Sequence, residues 1–207
     1  MGLASVAGWA GAGLGLLTTT AQVVRIRRQG VDGVNATTWA LFLVMSVYWL
    51  AYGIAVSSAQ IIGGVLSAAP FLCWLLLLLD RSASLRGLVR ATAVTALAAF
   101  LPAAFFGWSV GLLGLGVVIV GTRMPQLVQL VRATHADGVS AASWLLGAAS
   151  VALWLTYYVS TEKPAAAATM AAALAMNLSI VVLTMARHRQ RAMHVARVTP
   201  QLVLEPA

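Results

Sequence analysis

The sequence predicts an all-α integral membrane protein with seven transmembrane helices, built as two parallel three-helix repeats joined by a linker helix. Three observations predict it. The 207 residues are 61% hydrophobic and only 9% charged, with a mean hydropathy of +0.91, where a soluble domain carries about 25% charged residues. The apolar stretches approach the ~20 residues that a helix needs to cross ~30 Å of hydrocarbon, and they lack the ~10-residue alternation of a membrane β-barrel. The cations collect in short loops between those stretches, and one motif is used twice.

The elements follow in order. A first span over 3–24 ends at Arg25, Arg27 and Arg28. A second over 36–56 is tied by Ser57-Ser58-Ala59-Gln60 to a third, which stops at Asp80-Arg81. The basic linker 80–90 leads into a fourth span over 91–107, which has no partner in the other half. The fifth covers 109–131, the sixth 141–160 and the seventh 164–186, and a basic, polar tail starts at Arg187. The units are therefore a first repeat over 1–79, a linker with its helix over 80–107, a second repeat over 108–186 and a cytoplasmic tail over 187–207.

Charge sets the orientation. With seven spans, loops one, three and five share a side with the tail. That side holds all twelve arginines, and the opposite side holds only Lys163. Cytoplasmic loops are the ones enriched in Lys and Arg, so the tail is expected inside and the N-terminus outside. A net charge of +8 and a pI near 11.1 also suit a nucleic-acid binder, but cations clustered in the inter-span loops and the tail exclude that reading. Without a basic leader, the first apolar run reads as a retained span rather than a cleaved signal. The single cysteine, Cys73, excludes an intrachain disulfide and reads as a packing residue. Abundant Arg and Ala suggest a bacterial plasma-membrane protein. Trp9, Phe105, Phe106 and Trp108 fall near the outer boundary and Trp39 and Trp144 near the inner one, as aromatic belts do.

The repeat is carried by particular residues. Asp32-Gly33-Val34-Asn35-Ala36-Thr37-Thr38-Trp39 recurs as Asp137-Gly138-Val139-Ser140-Ala141-Ala142-Ser143-Trp144, with five identities in eight. Trp49-Leu50-Ala51-Tyr52 recurs as Trp154-Leu155-Thr156-Tyr157, and Gln22 answers Gln126 with a one-residue slip. Three spans and one intervening span leave both repeats running the same way across the bilayer, a layout found in transporters.

Pro125-Gln126 at the inner end of a span, then a short basic loop and a Trp-bearing span, resembles a PQ-loop motif. With the 3+1+3 layout, nearly the whole chain is similar to the SWEET and SemiSWEET branch of the PQ-loop transporters. The resemblance implies alternating access and a small polar solute, sugar-like as a first expectation. Cystinosin-like amino-acid exporters and the KDEL receptors share that fold, so a proton-coupled metabolite transporter or a sorting receptor using the basic tail is the alternative. Two differences stand out. The first repeat has Ala21-Gln22 in place of Pro125-Gln126, and the third-span asparagine of the sugar carriers is matched here by Val65 and Met170, with Ser67 and Thr169 as nearby polar residues.

Several residues are candidates for the mechanism. Trp49 and Trp154 lie ten positions inside Trp39 and Trp144, roughly 15 Å deep at the helical rise, and either pack between spans or form opposite walls of a cavity for a flat solute. Tyr52 and Tyr157 share their helix faces and gate or cap the outer mouth. Asn177 either makes an interhelical hydrogen bond or contacts solute, because an amide in hydrocarbon needs partners. Pro125 removes a backbone donor and is expected to act as a hinge or a static kink, with Gln126 and Gln22 satisfying the carbonyls it frees. Arg123 lies below the membrane surface, where a charge snorkels or faces a cavity; in the second case it favours anionic solutes. Dense glycines in the first and fifth spans read as close helix packing.

No Asp, Glu or His lies deep within a span, which points to facilitated diffusion rather than proton coupling. No Ser-His, Cys-His or metal-ligand cluster falls inside the spans either, so no enzymatic activity, cofactor or metal is expected. The expected partners are the lipid bilayer and a small-molecule solute, and the layout is compatible with a homo-oligomer.

Overall fold

The computed structural model describes residues 2–29, 36–66, 85–132 and 141–202. Ser67 lies outside the described residues, as do the two Asp-Gly loops and the side chains of Gln22, Trp39, Pro125 and Gln126. Among the described residues every regular element is an α-helix: α1 (Leu3–Gln29), α2 (Ala36–Ala55), α3 (Ala59–Val65), α4 (Leu85–Phe106), α5 (Trp108–Arg132), α6 (Ala141–Ser160) and α7 (Pro164–Leu202). All but α3 have at least 20 residues, which is about 30 Å of helix. Within them, Pro164–Gln190 is the one described stretch that is long and apolar enough to cross a membrane by length and composition. Shorter apolar stretches occupy α1, α2, α4, α5 and α6.

Two boundaries differ from expectation. Residues 85–90, read as linker, form the first turns of α4. The basic tail does not begin as a separate segment, because α7 continues through Arg187 to Leu202. The thirteen residues from Arg187 to Thr199 include four Arg and two Ala, which are good helix formers, and hold no Gly or Pro to stop the helix.

The helices close into a ring. Each packs on two principal neighbours, in the order α1, α3, α2, α4, α5, α7, α6 and back to α1. In each triple the last helix in sequence lies between the first two. The two triples meet directly where α1 packs on α6. At the opposite seam α2 touches α5 only slightly, because α4 is wedged between them. Gly107 makes the one-residue link from α4 to α5 at φ +83°, a left-handed conformation that glycine adopts without a Cβ penalty.

The links from α2 to α3 and from α6 to α7 match bond for bond. Ser57 and Glu162 occupy left-handed φ values of 51° and 54°. The Ser58 amide donates to the Gly53 carbonyl (2.9 Å) and the Ser57 amide to that of Ile54 (3.1 Å); Lys163 donates to Tyr158 (2.9 Å) and Glu162 to Val159 (3.2 Å). This pair of bonds around a left-handed residue is the Schellman ending of a helix, which satisfies carbonyls otherwise orphaned at its C-terminus. Every bond in one link recurs in the other at an offset of 105 positions.

The interior has two apolar clusters. The larger gathers Tyr48, Tyr52, Ile61, Leu112, Leu115, Tyr157 and Tyr158 with smaller residues, and Trp49, Trp108 and Trp154 pack against it. The smaller centres on Leu130 and Ile180, with Leu127, Trp144 and Leu183 around them. Trp144, expected in an interfacial belt, therefore packs between helices. Trp108 likewise turns inward onto Tyr48 and Tyr52, with ring centroids 5.5 and 5.9 Å apart. Phe105 and Phe106 are exposed.

Candidate functional site

Trp49 and Trp154 are brought together, but not across an open slot. Tyr158 lies between them, nearly parallel to both: its ring centroid is 5.6 Å from that of Trp49 at 21° and 5.7 Å from that of Trp154 at 24°. Offset-stacked rings at such separations attract one another beyond the area they bury. Tyr52 and Tyr157 stand edge-on to their own tryptophans, at 5.8 and 5.5 Å, and Tyr157 also meets Tyr158 at 5.2 Å. Both Tyr52 and Tyr157 are buried, so they sit inside the layer rather than at an exposed mouth.

The layer is held by close backbone approach and by one hydroxyl pair. A Cβ placed on Gly64 of α3 would lie 2.7 Å from Cζ2 of Trp154, and one on Gly11 of α1 would lie 3.2 Å from Cδ1. The indole is thus pressed between two helices of the other triple at positions that only glycine allows so near. Ser58 caps α3, its Oγ accepting from the Ile61 amide at 3.3 Å. The same hydroxyl bonds the Tyr157 hydroxyl at 2.7 Å, joining the two triples in a buried contact. Tyr48 packs on Phe100 and Trp108, and its fully buried hydroxyl has no hydrogen-bond partner among the described residues.

By helix count this layer lies towards the C-terminal ends of α2 and α6. Trp49 and Trp154 each stand 13 positions after the start of their helix and 6 before its end, or about 20 Å and about 9 Å at the helical rise. The expected central depth was measured from Trp39 and Trp144, which are themselves a full turn inside the helix starts.

Arg123 and Asn177 lie beyond that layer, towards the C-terminal end of α5. The Arg123 Nε donates to Asn177 Oδ1 at 2.8 Å and its Nη1 to the Ile119 carbonyl at 3.1 Å. Ile119 is one turn towards the start of α5, so the guanidinium leans back into the bundle, in the direction that Cα–Cβ bonds tilt along a helix. A side chain reaching for the C-terminal end of α5 would take the opposite course. Asn177 is buried, and the interhelical bond left open for it is made to Arg123. Among the described residues no carboxylate meets this arginine.

Thr169 is buried and already bonded: its hydroxyl reaches the Leu112 carbonyl at 2.8 Å and that of Ala165 at 3.0 Å. It ties α7 to α5 and presents little to a solute. Pro125 and Gln126 fall within the unbroken helix α5. Sequence reading missed Tyr158, Ser58 and Tyr48. The signal for Tyr158 was legible: Tyr157 is followed by Tyr158 where Tyr52 is followed by Gly53, so the second repeat alone supplies the central ring. Nothing in the pattern marked Ser58 as the partner of Tyr157. Among the described residues no group of three His, Cys, Asp or Glu side chains is placed to hold a metal. No family model, characterised protein or solved structure matches the chain.

Proposed function

We propose that the chain is a carrier for a small polar solute, crossing the plasma membrane seven times with its N-terminus outside, and working by alternating access as the PQ-loop resemblance implies. The observation that carries this reading is the closure of two like-ordered helix triples around one shared aromatic layer. A repeat protein that carries solute needs two bodies able to rock about a common site, and the matched links and helix order supply candidates for both bodies. In this state the Tyr158 ring fills the place between the tryptophans, so passage requires it to move aside. Facilitated diffusion is favoured because no acidic residue or histidine lies deep in a span to relay protons.

Uptake into proteoliposomes, across a panel of sugars, amino acids and vitamins, tests the proposal. Saturable flux of at least one solute, unchanged by an imposed pH gradient, is expected. Absence of flux for every solute, in a preparation shown to be folded, overturns it. The hinge reading of Pro125 adds a mutational test: Pro125→Ala is expected to slow transport severalfold while binding weakens less. Equal uptake by parent and variant removes that role.

A further inference from the structure

We infer that Arg123 and Asn177 form a recognition site for a small organic carboxylate, which narrows the solute class proposed above and rests on that reading. The argument begins with the donor inventory. A guanidinium has five N–H donors and no acceptor, so whatever faces its Nε must be an acceptor. That fixes the Asn177 amide: its Oδ1 is turned to Arg123 at 2.8 Å, and its Nδ2 must point elsewhere as a donor. Nδ2 lies towards Gly147 of α6, 3.5 Å from where a Cβ on that residue would be.

The two bonds given to Arg123 use Nε and one Nη1 proton. Nη2 and the remaining Nη1 proton have no partner among the described residues. What the pair still offers is therefore mainly donors, two guanidinium nitrogens and an amide, against one remaining lone pair on Oδ1. That set suits an anion's oxygens and repels a cation. The fork of Nη1 and Nη2 matches the two oxygens of a carboxylate.

The setting adds an energetic reason. Arg123 is bracketed by the large aromatic cluster on one side and the Leu130–Ile180 cluster on the other. Among the described residues its charge is met by an amide oxygen and a main-chain carbonyl. A cation in such surroundings is costly unless paired, and a solute carboxylate would complete the pairing. Gly147 is about two turns from Trp154 along α6, so the site is about 10 Å on the inner side of the aromatic layer. A solute with a carboxylate at Arg123 would reach that layer with its other end.

The test uses purified protein in detergent and in proteoliposomes, with radiolabelled pyruvate, lactate and succinate as probes and lactamide, succinamide and glucose as neutral controls. Carboxylates are expected to bind and to be carried, while the amides neither bind nor compete. Arg123→Gln should raise the half-saturating concentration about 30-fold or more, as removal of one partner of a buried charged pair does, and Arg123→Lys should recover part of it. If Arg123→Gln fails to fold, Gly147→Leu serves instead, since it closes the approach to the amide and should weaken carboxylate binding while sparing Arg123. Flux of a neutral solute with no competition from carboxylates overturns this inference and leaves the carrier standing. Carboxylate binding that Arg123→Gln abolishes, without flux of any solute, supports the site and overturns the carrier. Carboxylate affinity equal in the parent and in whichever variant folds overturns the site.

Discussion

Ser58 does two jobs with one hydroxyl, and that makes it the most exposed point of failure in the aromatic layer. It caps α3 and holds the Tyr157 hydroxyl at 2.7 Å across the two triples. Ser58→Ala removes a cap, for about 1 kcal/mol, and leaves a buried tyrosine hydroxyl without its partner, for about 1–3 kcal/mol. Tyr157→Phe removes only the second group and is expected to cost about 1 kcal/mol. Denaturant unfolding in detergent checks both. The double variant should lose less than the two single losses together, because the residues share one bond. Strict additivity would show that the hydroxyl pair carries no stability.

At the scale of the element, α5 illustrates what a pattern of residues does and does not reveal. Its existence was legible from apolar length. The manner of its ending was not. The last carbonyls of a helix have no partner within it, and here two are met from α7: Arg187 donates through Nε to Leu130 at 3.1 Å and through Nη2 to Val131 at 2.6 Å. In the sequence Arg187 is one cation among many on the inner side, counted for orientation alone, because a contact between residues 57 positions apart leaves no local trace. Arg187→Ala is expected to destabilise the inner end of α5 by about 1–2 kcal/mol, read as faster amide exchange confined to its last turn. Arg187→Lys should restore little, since an ammonium lacks the fork that spans two carbonyls. Unchanged exchange in Arg187→Ala would remove the capping role.

The same limit applied to the site. Trp49, Trp154, Tyr52 and Tyr157 were legible because they recur at a fixed offset, and Arg123 and Asn177 because polar groups in apolar runs demand an account. Their partners were not legible, because pairing depends on which helices become neighbours. Tyr158 between the tryptophans and Asn177 beside Arg123 are products of the ring order, with α7 lying between α5 and α6.

For the whole molecule, the placement of α4 has a mechanical meaning. One seam between the triples is direct, α1 against α6, closed by the Ser150 hydroxyl on the Gly11 carbonyl at 3.0 Å. The other is filled by a helix that belongs to neither triple. Under the proposed carrier reading such a body would work as a door, with the tight seam as the post on which it hangs and the filled seam as the side that swings. Two locks distinguish the sides in a Cys73→Ser background, which frees the chain of its own thiol. A short bridge between Gly15→Cys and Ser150→Cys, where a Cβ on Gly15 would lie 3.6 Å from the Ser150 hydroxyl, should spare most of the flux. A short bis-thiol bridge between Tyr52→Cys and Trp108→Cys, whose parent rings are 5.9 Å apart, should arrest it. Arrest by the first bridge as complete as by the second would mean that the leaf hangs elsewhere. On this view α4 is more than a spacer that restores the direction of the second triple: it sets which edge of the molecule is free to open.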